Sequence, residues 1–193
     1  MKFKNYIFLL LFCNALCFSQ VKNEKEERIK QAHFPELASS YFSFIANNAS
    51  YLKFYKETDG EKVSFEAKFK LNKLHYSVEF DSIGTLEDIE ILIKQKHIPK
   101  ASLQKIKRHF SDKFEKIRFI KIQKQFINNS SKTDKQFIEH IVNNPNQKPT
   151  HFEIIAEIKT KERHELRELT FNENGTFKKS RKVTSASYEH ALY

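Results

Sequence analysis

The sequence predicts an α+β fold: a tandem repeat of helix plus antiparallel strands, forming one roughly eight-stranded antiparallel sheet with helices on one face. Three observations predict it. A seven-residue pattern recurs: Phe80-Asp81-Ser82-Ile83-Gly84-Thr85-Leu86 is matched by Phe171-Asn172-Glu173-Asn174-Gly175-Thr176-Phe177. Upstream of each copy lies His33-Phe34-Pro35-Glu36-Leu37 or His97-Ile98-Pro99-Lys100-Ala101, with Pro at a first helical position. Between helix and pattern, apolar and polar residues alternate with period two, as in strands with one buried face.

The first unit opens with a helix whose apolar face is Leu37, Tyr41, Phe44 and Ile45, followed by the β-run Tyr51–Tyr55. Val63, Phe65, Ala67 and Phe69 then alternate with Ser64, Glu66, Lys68 and Lys70. Leu74, Tyr76, Val78 and Phe80 alternate with His75, Ser77, Glu79 and Asp81, and Leu71-Asn72-Lys73 joins the two as a hairpin. Ile89, Ile91 and Ile93 close the unit. The second unit repeats the order, with a helix bearing Leu103, Ile106, Lys107 and Phe110 and a β-run from Ile117 to Ile122. Phe152, Ile154, Ala156 and Ile158 alternate with His151, Glu153, Ile155 and Glu157, Arg167 to Phe171 form the partner strand, and Phe177 to Val183 closes it.

Pro35 and Pro99 are 64 residues apart but Phe80 and Phe171 are 91 apart, so the second unit carries 27 more residues. Most lie between Ile127 and Thr150. Phe137, Ile138, Ile141 and Val142 mark one short helix there, in an excursion from the sheet with mobile loops. The chain thus reads as a signal segment (1–19), a linker (20–33), a first repeat (34–94), a second repeat (95–183) with the insertion at about 127–150, and a tail (184–193).

Lys2 and Lys4 precede an apolar run from Tyr6 to Phe18, and polarity returns at Ser19-Gln20. This is a secretory signal, cleaved near Ser19/Gln20, with an apolar run too short to span a bilayer. The expected location is periplasmic or secreted. Cleavage leaves 174 of the 193 residues and lowers the formal charge from +10 to +8 by removing the two lysines. Both cysteines, Cys13 and Cys17, leave with the signal, so the remaining chain has no disulfide, thiolate nucleophile or cysteine ligand.

The order of Pro-initiated helix, β-run and hairpin resembles the PepSY-like, or β-lactamase-inhibitor-like, proteins. The segments that carry the resemblance are Phe65-Glu66-Ala67-Lys68-Phe69-Lys70 and Tyr76-Ser77-Val78-Glu79-Phe80-Asp81. It covers roughly residues 34 to 183 and rests on strand and turn motifs. It implies a secreted or periplasmic, non-enzymatic binding module of tandem-repeat architecture, acting as an inhibitor or chaperone of an envelope or secreted protein. The chain departs from the β-lactamase inhibitors themselves, having neither Trp nor, after cleavage, Cys. Inhibition of a β-lactamase is therefore not expected.

The alternating pattern places Glu66, Lys68, His75, Ser77 and Glu79 of the first hairpin, and His151, Glu153 and Glu157 of the second, on one polar face. With helices over the apolar face, these eight are the expected binding footprint on an open, solvent-facing sheet. No catalytic, metal or cofactor site is assigned. Eight His are present, but none shows metal-ligand spacing, and His75, His151 and His164 fall on or near strands. Three Gly leave no phosphate loop and no nucleophile elbow. Asp59, before Gly60, reads as turn chemistry, with insertion into a partner pocket as the sharper alternative. Lys94 to Lys124 form a cation-rich stretch that mostly solvates the second helix. It also supports an alternative function as a basic, anion-binding envelope protein. A small hydrolase or metal-binding protein using the strand His and Glu residues is a further alternative. The expected partner is a protein, not nucleic acid, with no membrane span after cleavage.

Overall fold

The computed structural model describes residues 21–46, 48–161 and 163–184, so the signal segment and most of the tail lie outside the described residues. The strands are β1 (Val21–Lys22), β2 (Glu24–Ile29), β3 (Ser50–Asp59), β4 (Lys62–Leu71), β5 (Leu74–Asp81), β6 (Leu86–Leu92), β7 (Lys116–Phe126), β8 (His151–Lys159), β9 (His164–Asn172) and β10 (Phe177–Val183). The α-helices are α1 (Glu36–Ser40), α2 (Lys100–Ser111) and α3 (Asp134–Asn143).

All ten strands form one sheet in the order β1-β10-β9-β8-β7-β6-β5-β4-β3-β2. Neighbours are antiparallel except β1 and β10, which are parallel with Val21 opposite Lys182. β1 and β2 stand at opposite ends of that order, yet they are one continuous stretch interrupted only by Asn23. The stretch therefore joins the two edges, and the sheet coils into a nearly closed barrel. At the seam Asp59 accepts a hydrogen bond from the Asn23 amide at 3.0 Å and faces Arg181 at 3.4 Å. Asp59 also flanks the turn at Gly60, and its role at the seam is one that neither sequence reading gave. It clamps the closure.

The fold is thus not an eight-stranded open sheet with helices on one face. Two causes separate expectation from structure. Residues 22–28 are polar in both phases and carry no apolar alternation, because one phase faces solvent and the other faces the barrel interior. The register also shifts within four of the strand pairs, between Ser50 and Lys53, Glu79 and Phe80, Phe119 and Lys121, and Phe177 and Lys179. Each such irregularity bends its strand and adds twist, and together they roll the sheet.

The apolar phase of the strands faces outward and carries two core clusters. One gathers Phe54, Phe69, Phe80 and Ile89 with Phe34, Ala38, Phe42 and Ile45. The other gathers Phe152, Ile154, Leu169 and Phe171 with Ile106 and Phe110. The helical faces match the expected ones at Tyr41, Phe44, Ile45, Leu103, Ile106 and Phe110, and depart from them at Leu37 and Lys107. Leu37 is 56% exposed, and the first helix buries Ala38 with Phe42 and Ile45 just beyond it. α2 buries Ser102, Ile106 and Phe110, leaving Lys107 in solvent.

The 127–150 insertion leaves the sheet after β7 and packs back against it through α3. Thr133 and Gln136 cap α3 reciprocally, at 3.1 and 3.3 Å. Ile138 and Ile141 of α3 are buried in the first cluster, which belongs to the other repeat. Asp134 accepts from the Leu86 amide at 3.0 Å, and the buried Lys124 donates to the carbonyls of Pro145 and Gln147 at 3.1 and 3.2 Å.

The two repeated heptapeptides build the same turn. The side-chain oxygen of Asp81 accepts from the amides of Ile83 and Thr85, and that of Asn172 from Asn174 and Thr176. Gly84 and Gly175 hold φ of +88° and +80°, a region closed to most side chains. Each turn abuts a helix start: a Cβ on Gly84 would meet Pro35 at 3.1 Å, and one on Gly175 would meet the Ser102 carbonyl at 2.4 Å.

Candidate functional site

Closure turns the polar phase inward. Every strand contributes to an interior cavity of about 190 Å³. Lys22, Glu24 and Glu26 enter from β1 and β2, and Glu57 and Asp59 from β3. β4 supplies Lys62, Ser64, Glu66 and Lys68, and β5 supplies Ser77 and Glu79. Asp88 and Glu90 come from β6, and Lys121, Gln123 and Gln125 from β7. Glu153 and Ile155 of β8, Glu168 of β9, and Lys179, Arg181 and Val183 of β10 complete the wall. Ten carboxyl groups thus share the interior with six cations, inside a chain of formal charge +10.

The interior divides into paired and underpaired regions. Near the seam, Glu168 is met by Lys22 at 2.9 Å and Arg181 at 2.7 Å. Burial alone would raise its pKa, but these two cations outweigh burial and hold it down to about 2. Lys68 sits between Glu66 and Glu26, over the Tyr55 ring at 4.9 Å. Elsewhere burial wins. It pushes Glu79 up to about 7, although Lys62 at 3.9 Å opposes the shift. Burial, then the neighbouring Glu66, raises Glu57 well above the ordinary carboxyl range. Burial with Glu79 and Glu153 does the same for Asp88, and burial with Glu153 and Asp88 for Glu90. Gln125 donates to Asp88 at 2.9 Å and to Glu153 at 3.2 Å, and Gln123 donates to Glu90.

The structure brings together Glu66, Lys68, Ser77, Glu79 and Glu153, five of the eight sequence-derived residues, inside this cavity. They are not on a solvent-facing sheet. Ser77 donates to Glu66, and Ser64 donates to Glu79 at 3.0 Å. The other three lie apart. His75 is exposed at one end of the barrel. His151 meets Gln125 at 3.0 Å, and burial with Lys179 and Lys178 lowers its pKa. Glu157 pairs with Arg118 at 2.7 Å outside the cavity, with His164 at 3.8 Å. The residues missed by sequence, such as Glu57, Asp88, Glu90 and Glu168, all continue the same inward phase.

Two groups bring three carboxyl oxygens within 4.8 Å of one another: Glu24 with Glu57 and Glu79, and Glu26 with Glu57 and Glu66. Such oxygens could hold a hard divalent cation. Among the described residues no histidine belongs to such a group.

One end of the barrel opens into a larger recess of about 620 Å³. Six residues line both spaces: Glu26, Glu66, Lys68, Ser77, Lys121 and Gln123. The recess is therefore the mouth of the interior. Its rim comprises Tyr51, Lys53, Tyr55, Lys70, His75 and Leu92. Tyr51 has a φ of +61°, and the residue is 72% exposed.

No family model and no curated protein matches the chain. Solved structures do. A BLIP-like protein from Bacteroides fragilis aligns over 79% of this chain and 88% of its own, with 14% identity and a TM-score of 0.50. The fold is BLIP-like. A protein from Bacteroides eggerthii described as periplasmic aligns over 80% and 92%, with 10% identity and a TM-score of 0.51. A DUF2874-family protein from Bacteroides ovatus aligns over 77% and 87%, with 10% identity and a TM-score of 0.51. Among the described residues no helix is long and apolar enough to cross a membrane.

Proposed function

We propose that the protein is a non-enzymatic, periplasmic or secreted binding module that acts as an inhibitor or chaperone of an envelope or secreted protein. The Bacteroides neighbours, one BLIP-like and one described as periplasmic, support the class. The observation that carries the reading is the mouth. The polar sheet face is consumed inside the barrel, whereas the mouth presents Tyr51 and the 41% exposed Leu92 around a recess of about 620 Å³. Exposed aromatic and aliphatic side chains around a concavity are what protein interfaces use as anchors. The footprint accordingly moves from the sheet face to the mouth, and of the eight sequence-derived residues His75 is the one on its rim.

The test is affinity capture from envelope extract at low and high salt, with wild type and with Tyr51→Ala/Leu92→Ala. Capture that survives high salt and is lost in the double variant supports the reading, because screening removes exposed charge attraction but not apolar contact. Capture unchanged in the double variant overturns it. A second reading, attachment to an anionic envelope surface, is favoured by the exposed Lys100, Lys105, Lys107 and Arg108 of α2. It predicts binding that disappears at high salt in both proteins.

A further inference from the structure

We infer that the mouth recognises an acidic peptide segment of the partner. A carboxylate would be held between Lys53 and Lys70, and a neighbouring aromatic or aliphatic side chain would lie against Tyr51, Tyr55 and Leu92. The inference rests on the mouth being the docking surface. Three observations carry it.

The first is charge. Lys68, at the floor, is committed to Glu26 and Glu66. Lys53 and Lys70 form no ion pair among the described residues, although both line the recess. Strand register places Lys53 directly opposite Lys68. Around the recess Lys53, Lys68, Lys70 and Lys121 outnumber the carboxylates of Glu26 and Glu66, so its lining favours an anion over a cation.

The second is shape. The recess, at about 620 Å³, falls within the range of ligand pockets, roughly 300–1,000 Å³. Its rim runs from Tyr51 on β3 to Leu92 on β6. Three strand spacings of about 4.8 Å make that roughly 14 Å. An extended peptide advances about 3.4 Å per residue, so about four residues span the rim. A lone small carboxylate would leave most of the apolar rim uncovered.

The third is Tyr51. Its backbone is held left-handed at φ +61°, a conformation that is unfavourable for a residue with a side chain. The register also slips between Ser50 and Lys53. The residue gains no burial in return, at 72% exposure. It is positioned as one wall of the recess.

The experiment titrates the signal-free chain with an N-acetylated, C-amidated Gly-Glu-Phe-Glu-Gly peptide and with its Gln-for-Glu analogue, followed by backbone amide NMR. Shifts centred on Tyr51, Lys53, Lys70 and His75, with the Gln peptide at least about tenfold weaker, are expected. Lys53→Gln/Lys70→Gln should abolish the preference. Equal binding of the Gln peptide, shifts centred elsewhere, or phenylacetate binding as tightly as the peptide would each overturn the inference. The same lysine variant in the capture assay separates the two levels. If it keeps the partner while Tyr51→Ala/Leu92→Ala loses it, the mouth still docks the partner but acidic recognition is wrong. If neither variant loses the partner, the docking surface itself is wrong.

Discussion

Replacing Glu79 by Gln should stabilise the protein in mild alkali and change little in mild acid. Glu79 points into the interior, accepts from Ser64 at 3.0 Å and has Lys62 no nearer than 3.9 Å. Burial lifts its pKa from the ordinary 4.5 to about 7. The folded state therefore holds this proton more tightly than the unfolded chain does. Its contribution to stability is complete below about 4.5 and is lost as the pH rises through 7. The raised pKa corresponds to at most about 3.5 kcal/mol, at about 1.4 kcal/mol per pH unit. The side chain keeps 25% exposure, and solvent screening makes about 2 kcal/mol the better figure. Gln preserves the Ser64 hydrogen bond, and Lys62 retains Glu87 at 2.7 Å. Urea unfolding followed by circular dichroism near pH 5 and near pH 8.5 reads the difference. A Gln variant that gains equally at both pH values, or loses stability near pH 8.5, would refute the picture of a carboxyl ionised against its surroundings.

Glu168 should behave oppositely. Held down to about 2 by Lys22 and Arg181, it stabilises the fold above about pH 4.5 and loses that contribution as the pH falls toward 2. Glu168→Gln should cost about 3 kcal/mol near neutrality by leaving two partly buried cations short of a partner, with the deficit shrinking in thermal melts below about pH 3. Gly175→Ala should cost at least about 2 kcal/mol, since a methyl there is both left-handed and 2.4 Å from the Ser102 carbonyl. Gly84→Ala, whose methyl meets Pro35 at 3.1 Å, should cost less in the same denaturation series. Intact-mass measurement of exported protein should show a chain starting near Gln20 with no lipid, and a full-length or acylated mass would remove the signal reading.

What the sequence shows depends on how local the controlling physics is. The paired turns at Asp81 and Asn172 are legible because Asx side chains and glycine determine them within five residues. The strand phases are legible because period two separates Phe80 and Phe171, both fully buried, from Glu79 and Thr170 on the inward phase. Phase alone therefore placed Glu66, Ser77, Glu79 and Glu153 on one surface. It did not show that the surface curls shut. Closure depends on several small register shifts and on a polar stretch, Glu24–Ile29, that no apolar pattern marks. The inward carboxyls of β6 escape notice because Ile89 and Ile91 are what mark that strand. The α3 stripe reads as a helix, but its docking on the first repeat is set by Asp134 meeting the distant Leu86 amide. Tyr51 carries no sequence mark of a left-handed backbone.

The joining stretch at residues 21–29 has a consequence for timing. A chain emerging N-terminus first presents it before any other described strand. Its partner Lys182, opposite Val21, is 161 positions later. Glu24–Ile29 find their partner early, Glu24 lying opposite Asp59 of β3, but Val21 and Lys22 must wait for β10, and such contacts between distant parts of a chain form slowly. Until β10 arrives the stretch is an open sheet edge, which in an apolar strand would invite aggregation. One composed as Glu-Lys-Glu-Glu-Arg stays hydrated. The same composition that hides the segment from hydropathy patterning suits a stretch whose first two residues are the first described part made and among the last to be fastened.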